Sequence, residues 1–460
     1  MFGHPVVDQA IHRHGLDIVA IAVYAIAFAV VAFATSRRPA YGIVALVLAD
    51  PFALYRDVSE TTLTLPKVVL LAFAAALAVR RDARAAFADT FRIRAVRVLL
   101  GCAGLVILAT GLSIAQAEHA APAVRETLKA CEYALIFACV AIAARLDPAE
   151  GPVRFAFAAV LAAVAASALS QEIFGAPSGL WFFNHPIPRI AGPLEGPNQL
   201  AGYLGLTMPV VAAFVVIRGP RRGELAVLCA SAMALVLTLS RSGVLATIVA
   251  LGIVIALAPS AGRRAALLSL AGGAVAGLGV LVLYGSTSLL ARFSSFAEVE
   301  RSGGVGTRAQ LWHAAIALWR QHPWLGIGAG NFELEIAKVG PAGVRTHANS
   351  LYLQALVEGG APLLAATLAT VVASIAAFAR GPFRDPFVLG AFAGGIGLAL
   401  HQVFDFLTFY PKVGAMFWIV LGLAATRVAS SAASLGAQGR GPLRRTAAGR
   451  LSQLGHGTPR

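Results

Sequence analysis

Charge is scarce in this chain. Of its 460 residues, 13% are Asp, Glu, Lys or Arg and 58% are hydrophobic, whereas soluble domains carry roughly 25% charged residues. That shortage excludes an ordinary soluble globular protein. Acidic residues are scarcer than basic ones, 22 against 37, giving a formal net charge of +15. In so apolar a chain, such an excess reads as an orientation signal and headgroup contact with membrane lipids, not as nucleic-acid binding. The acidic pairs Glu298/Glu300 and Glu333/Glu335 have no further carboxylates beside them, so no metal is expected there. Cysteines number four. Cys102, Cys131, Cys139 and Cys229 all lie inside apolar runs without metal-like spacing, and they read as small buried hydrophobes. A cleavable signal peptide is not expected either, because the first apolar run, 18–35, is long and lacks a small-residue cleavage site after it.

What the chain does have is apolar runs. They fall at 18–35, 40–54, 66–79, 97–115, 125–144, 153–174, 197–217, 224–240, 242–258, 265–285, 349–378, 387–407 and 412–428. Backbone groups in lipid must be satisfied within the segment, so runs of this kind are read as helices. The second and third are short and can form one re-entrant hairpin, which leaves 12 or 13 spans. The expected fold is therefore an all-α polytopic membrane protein. Residues 1–285 would form N-terminal transmembrane helices, 286–346 a long, partly helical loop, and 347–428 C-terminal transmembrane helices. The tail 429–460 is basic, without apolar periodicity, and is expected to be disordered.

Basic clusters set the orientation. Arg80, Arg81, Arg84, Arg92, Arg94 and Arg97 precede one span, and Arg218, Arg221 and Arg222 follow another. Placing these in the cytoplasm sends 112–124, 175–196, 240–241 and 286–346 to the other side. Arg189, Arg241, Arg292, Arg301, Arg308 and Arg345 then violate the bias, and a local anionic ligand is the simplest reason. The N-terminus faces outward if 40–54 spans and inward if it dips and returns.

Four short motifs carry the polar chemistry. Arg189 lies in a Pro- and Gly-dense loop ahead of Asn198. It can fork over a phosphate or snorkel to headgroups, and Asn198 can cap the next helix. Arg241 lies in Ser240-Arg241-Ser242-Gly243, a polar knot between two apolar runs where a charge is costly. Arg308 opens a predicted helix over 308–321. There Trp312, Ile316 and Trp319 share one face, which suits a helix lying at the headgroup level. The turn Gly326-Ile327-Gly328-Ala329-Gly330 follows it; with no strand before it, this is not a dinucleotide fingerprint. His347 precedes Asn349 and Tyr352 at the start of a span and can accept a proton from a hydroxyl. Glu358, His401 and Asp405 are read as structural.

Taken in order, these motifs resemble the O-antigen ligase and O-antigen polymerase superfamily, over about Arg189 to Gly360. The resemblance implies a multi-pass glycosyltransferase of the bacterial inner membrane, with its active site facing the periplasm. The implied donor is a glycan on undecaprenyl pyrophosphate. The acceptor would be a sugar hydroxyl, on lipid A core or another glycan, and neither metal nor other cofactor is implied. By the same resemblance, Arg189, Arg241 and Arg308 would hold the pyrophosphate, and His347 would orient or deprotonate the acceptor. Asn198, Asn349 and Tyr352 would contribute to substrate binding. Many relatives read His-x-His-Asn, whereas this chain reads His347-Ala348-Asn349-Ser350, so the second-histidine role is absent or taken by Asn349. Polymerisation of O-antigen or exopolysaccharide units is the sibling alternative. A small-anion transporter is a further one, disfavoured by the lack of internal repeats.

Overall fold

The computed structural model describes residues 13–14, 18–52, 55–58, 61–175, 189–258, 262–294, 308–340 and 346–438. It is an all-α polytopic membrane protein, with one small ribbon of strands β1 (Arg13–His14), β2 (Tyr55–Val58) and β3 (Thr61–Thr64). The apolar runs all fold as helices. In the first half these are α1 (Ile18–Arg37), α2 (Pro39–Ala49), α3 (Leu65–Val79), α4 (Arg81–Arg92), α5 (Arg94–Ser113), α6 (Ala120–Leu146) and α7 (Glu150–Phe174). Then follow α8 (Pro197–Arg218), α9 (Glu224–Leu237), α10 (Arg241–Leu257) and α11 (Arg263–Ser294). The polar stretch adds α12 (Arg308–Gln321) and the one-turn α13 (Phe332–Glu335). The chain closes with α14 (Leu351–Ala379), α15 (Pro386–His401) and α16 (Pro411–Gln438). Among the described residues seven helices are long and apolar enough to cross a membrane, and α2, α3, α9, α10 and α15 are shorter apolar helices.

Helix α8 is the axis of the bundle. Its 22 residues give about 33 Å of rise, and nearly all of its side chains are buried, against α15, α10, α9 and α7. At the periphery, Phe155, Leu245, Ile248, Leu268, Val275 and Val372 point outward. An apolar belt of this kind is stable when lipid covers it. Cys131 departs from the expected burial: it is exposed on α6, whereas Cys102 and Cys139 are buried and Cys229 is half-buried. An apolar run does not say which of its faces meets lipid.

Polar side chains tie the helix ends into two groups. At one end, Arg38 pairs with Asp147, Arg80 donates to the Ser36 carbonyl, Arg218 pairs with Glu150 and Arg427 with Asp385. At the other end lie the starts of α8, α10, α14 and α16. Asp50, just past α2, lies beside Tyr203 and the Lys412 ammonium at this second end. The ribbon and the start of α3 follow there, and Tyr24 of α1 donates to the Leu63 carbonyl. The N-terminal side of α1 therefore lies at the same end as the starts of α8 and α16.

Several boundaries differ from expectation: the helix of the 40–54 run ends at Ala49, and α11 runs past 285 to Ser294, into the expected loop. The run 387–407 leaves the α-helix after His401. Gln402–Tyr410 is a largely aromatic connection with a 3-10 turn at Leu407–Phe409, and its Gln402 and Asp405 carbonyls accept from the Leu351 N–H. Beyond 428, α16 continues to Gln438. The expected disorder of the rest of the tail falls outside the described residues, as do Glu298, Glu300, Arg301, Arg345 and the side chain of Arg292.

Candidate active site

The loop bearing Arg189 is shaped by one glutamine. Gln171 of α7 accepts from the backbone N–H groups of Ala191 and Gly192 and donates to the Gly192 carbonyl, all at 2.9 Å. Gly192 adopts a φ of 59°, a left-handed conformation that costs glycine little. Thus fixed, Arg189 donates through Nε to the Thr238 carbonyl at 2.7 Å and through Nη2 to Asn198 Oδ1 at 2.9 Å. Asn198 is not the helix cap; Gly196 holds that position, and the Asn198 amide faces the guanidinium.

Arg241 is held by a strained turn. Leu239, buried, has a φ of 53°, a costly conformation for a non-glycine residue that persists where its surroundings enforce it. Ser240 occupies the N-cap position of α10 without a side-chain capping bond, and Arg241 is the first helical residue. Two residues on, a Cβ at Gly243 would stand 2.5 Å from Ala201 Cβ and 2.9 Å from His401 Cε1. Glycine here lets α10 lie directly on α8 and brings His401 alongside.

Helix α12 places Arg308. Its buried stripe is Leu311, Ala314, Ala315 and Leu318, packed on Ile327, Phe332, Ile336, Ala348 and Val357. Trp312, Ile316 and Trp319 share a different face, which is half-buried. Spacing of 3.6 offered two stripes, and the smaller side chains pack closest. Trp312 lies near Phe404, with ring centroids 6.4 Å apart.

These three arginines meet around the connection after α15. Arg241 and Arg308 are close enough for their like charges to interact. Asp405 lies beside Asn198 and within reach of the charges of Arg308 and Arg189. Burial pushes its carboxyl above the usual carboxylate range, against the pull of those arginines. Arg308 Nε, Trp312 Nε1, His401 Nε2 and Asp405 Oδ2 are buried with no hydrogen-bond partner among the described residues. Each such atom costs about 1–3 kcal/mol unless something outside the chain satisfies it.

On the other side of the same connection lies His347. The backbone N–H of Leu351 bonds the carbonyls of Gln402 and Asp405, both at 3.0 Å, and Ala348 N–H bonds Gln354 Oε1 at 2.7 Å. Asn349 takes a φ of 48°, which asparagine tolerates better than most residues. The His347 ring sits 4.2 Å from the Phe409 centroid and 6.0 Å from that of Tyr410. The Tyr352 hydroxyl donates to the Ala399 carbonyl at 3.0 Å, a bond that joins α14 to α15.

His347 opens onto a cavity of about 340 Å³ that Arg125, Glu126, Glu333, Glu358 and Phe409 also line. Glu358 reaches it through a break in α14. Gly360 has a φ of 63°, and a Cβ there would stand 2.2 Å from the Trp324 carbonyl oxygen. Across the break, Ile327 and Gly328 donate to the carbonyls of Val357 and Glu358. The glycine-rich turn is thus a brace for α14. Glu358 accepts from Gln354 Nε2 at 2.8 Å and Phe332 N–H at 3.2 Å. Sequence reasoning passed over Arg125 and Glu126, which look like the ordinary first turn of a span, and treated Glu358, His401 and Asp405 as structural. Their proximity to the arginines or to His347 depends on contacts between distant segments.

The fold and site thus define a helical membrane protein with a guanidinium cluster and a histidine-bearing cavity at one end. Residues 225–368 match the family model described as O-antigen ligase. Over that stretch the chain resembles the O-antigen ligase superfamily, which supports glycosyl transfer of the ligase and polymerase type in general. The matched segment takes in Arg241, Arg308, His347 and Glu358; Arg189, Asn198, His401 and Asp405 lie outside it. No curated protein matches the chain.

Proposed function

We propose that the chain transfers a glycan from a polyprenyl pyrophosphate, undecaprenyl in a bacterial inner membrane, to a sugar hydroxyl at the periplasmic face, without metal. The preferred acceptor is lipid A core. The observation that carries this reading is the meeting of Arg189, Arg241 and Arg308 beside buried donors that find no partner among the described residues. Helices α8 and α10 begin at this same place, and helix N-termini favour anions. A diphosphate supplies the charge and acceptor oxygens such a cluster requires.

In the proposed step, the acceptor oxygen attacks the anomeric carbon as the bond from that carbon to the diphosphate oxygen breaks. His347 takes the hydroxyl proton, and the polyprenyl diphosphate leaves with the bonding electron pair, neutralised by the arginines. Attack opposite the leaving group inverts the anomeric centre. The basic end of the bundle, with Arg80, Arg81, Arg84 and Arg218, supports placing the site on the non-cytoplasmic side.

The test uses full-length protein in nanodiscs with a polyprenyl-pyrophosphate-linked glycan and a core oligosaccharide acceptor. His347→Ala should lower transfer by on the order of 10²- to 10⁴-fold with the protein still folded. Wild-type rates in that variant would remove the base from the scheme. In cells lacking the gene, uncapped lipid A core with unused polymer marks a ligase, and core capped by single units marks a polymerase.

A further inference from the structure

The cavity beside His347 has a chemistry different from that of the arginine cluster. Three of its lining groups are carboxylates: Glu126, Glu333 and Glu358, on α6, α13 and α14. A single guanidinium, Arg125, joins them at an exposed position. Lys129 stands behind the wall, 2.7 Å from Glu126 and 4.3 Å from the Phe409 centroid, and fixes both. Glu126 is paired with Lys129, and Glu358 accepts from Gln354 and the Phe332 N–H. Glu333 is therefore the lining carboxylate best placed to meet a ligand. An ionised carboxylate only accepts hydrogen bonds, which calls for a ligand rich in donors. A carboxylate or phosphate would set acceptor against acceptor and like charge against like. The volume, about 340 Å³, falls at the low end of the roughly 300–1,000 Å³ typical of small-molecule sites. It has room for a terminal sugar and not for a polymer. The Phe409 ring adds an apolar surface of the kind that sugar C–H faces contact.

We infer that this cavity is the acceptor subsite and that it takes a non-anionic, hydroxyl-rich terminal sugar, with one hydroxyl presented to His347. The inference rests on the glycosyl-transfer reading above and narrows it. Donor and acceptor are sorted by charge. The anionic leaving group binds among the guanidiniums near the 402–410 connection, the neutral sugar binds beside His347 and Glu333, and the anomeric carbon is held where the two meet.

The experiment is photo-crosslinking of full-length protein in nanodiscs with a diazirine-bearing glucoside and the matching glucuronide, read by peptide mass spectrometry. The glucoside should label peptides containing 122–126, 330–334 or 347, and excess methyl glucoside should compete. The glucuronide should label them at least tenfold less, and Glu333→Gln should recover part of that loss. Equal labelling of wild-type protein by the two probes overturns the charge selection, and glucoside labelling elsewhere overturns the subsite. Failure of the parent reading looks different. Labelling in the cavity without any transfer from a polyprenyl-pyrophosphate-linked glycan leaves the sugar site standing and removes the reaction, whereas transfer with labelling outside the cavity does the reverse.

Discussion

At the end of the bundle that gathers Arg38, Arg154, Arg218 and Arg427, each guanidinium meets a carboxylate of this chain. Arg154 and Glu224 are the extreme case, forked together at 2.5–2.6 Å with side chains 4% and 5% exposed. At the end that gathers Arg189, Arg241 and Arg308, the pattern differs. Arg189 is bonded to a carbonyl and an amide, Arg241 and Arg308 interact as like charges, and Arg308 Nε is buried without a hydrogen-bond partner among the described residues. In the first arrangement each charge is compensated within the chain, whereas in the second like charges are held near one another at a cost. Arginines that join helices through carboxylates differ in this way from the arginines we propose to bind a ligand, although both kinds occur in one bundle.

The largest expected effect comes from breaking the second arrangement. Arg308→Ala should reduce glycan transfer by on the order of 10²- to 10³-fold. Arg308→Lys, which keeps the charge and loses the planar fork, should cost about tenfold. Neither variant should lower the thermal unfolding midpoint; a large drop would make Arg308 a structural residue like Arg154. The reverse holds at the opposite end. Arg154→Met leaves Glu224 buried without its partner, so stability should fall by about 3–5 kcal/mol while the folded fraction retains its specific activity. Lost activity at unchanged stability would erase the distinction between the two ends. The smallest effect is expected from Arg38→Gln. Its pair with Asp147 is half exposed on the arginine side, where ion pairs contribute little, and neither the midpoint nor the transfer rate should move measurably.

The helices could be read from the sequence because a lipid-facing chain has few ways to satisfy its backbone, and every apolar run became a helix. The arginines were conspicuous for a related reason: Arg241 and Arg308 are charges set beside hydrocarbon. Less legible was anything that depends on which segments meet. Asn198 looks like a cap until the Gln171-held loop brings Arg189 to it. Glu126 looks like a solvated first-turn carboxylate until Gly330 and Glu358 close a cavity over it. Among Trp312, Ile316 and Trp319, periodicity named a face but not the neighbour that would bury it. Glu358 and Gly326 are far apart in sequence, and only the break in α14 at Gly360 shows that they form one brace.

The stretch from Gln402 to Tyr410 touches both parts of the site. Asp405 lies within reach of the Arg189 and Arg308 charges, Phe406 and Phe409 press on the His347 imidazole, and the carbonyls of Gln402 and Asp405 accept from the first N–H of α14. A shift in this one strip of backbone would therefore move the neighbours of the guanidiniums and of the imidazole together.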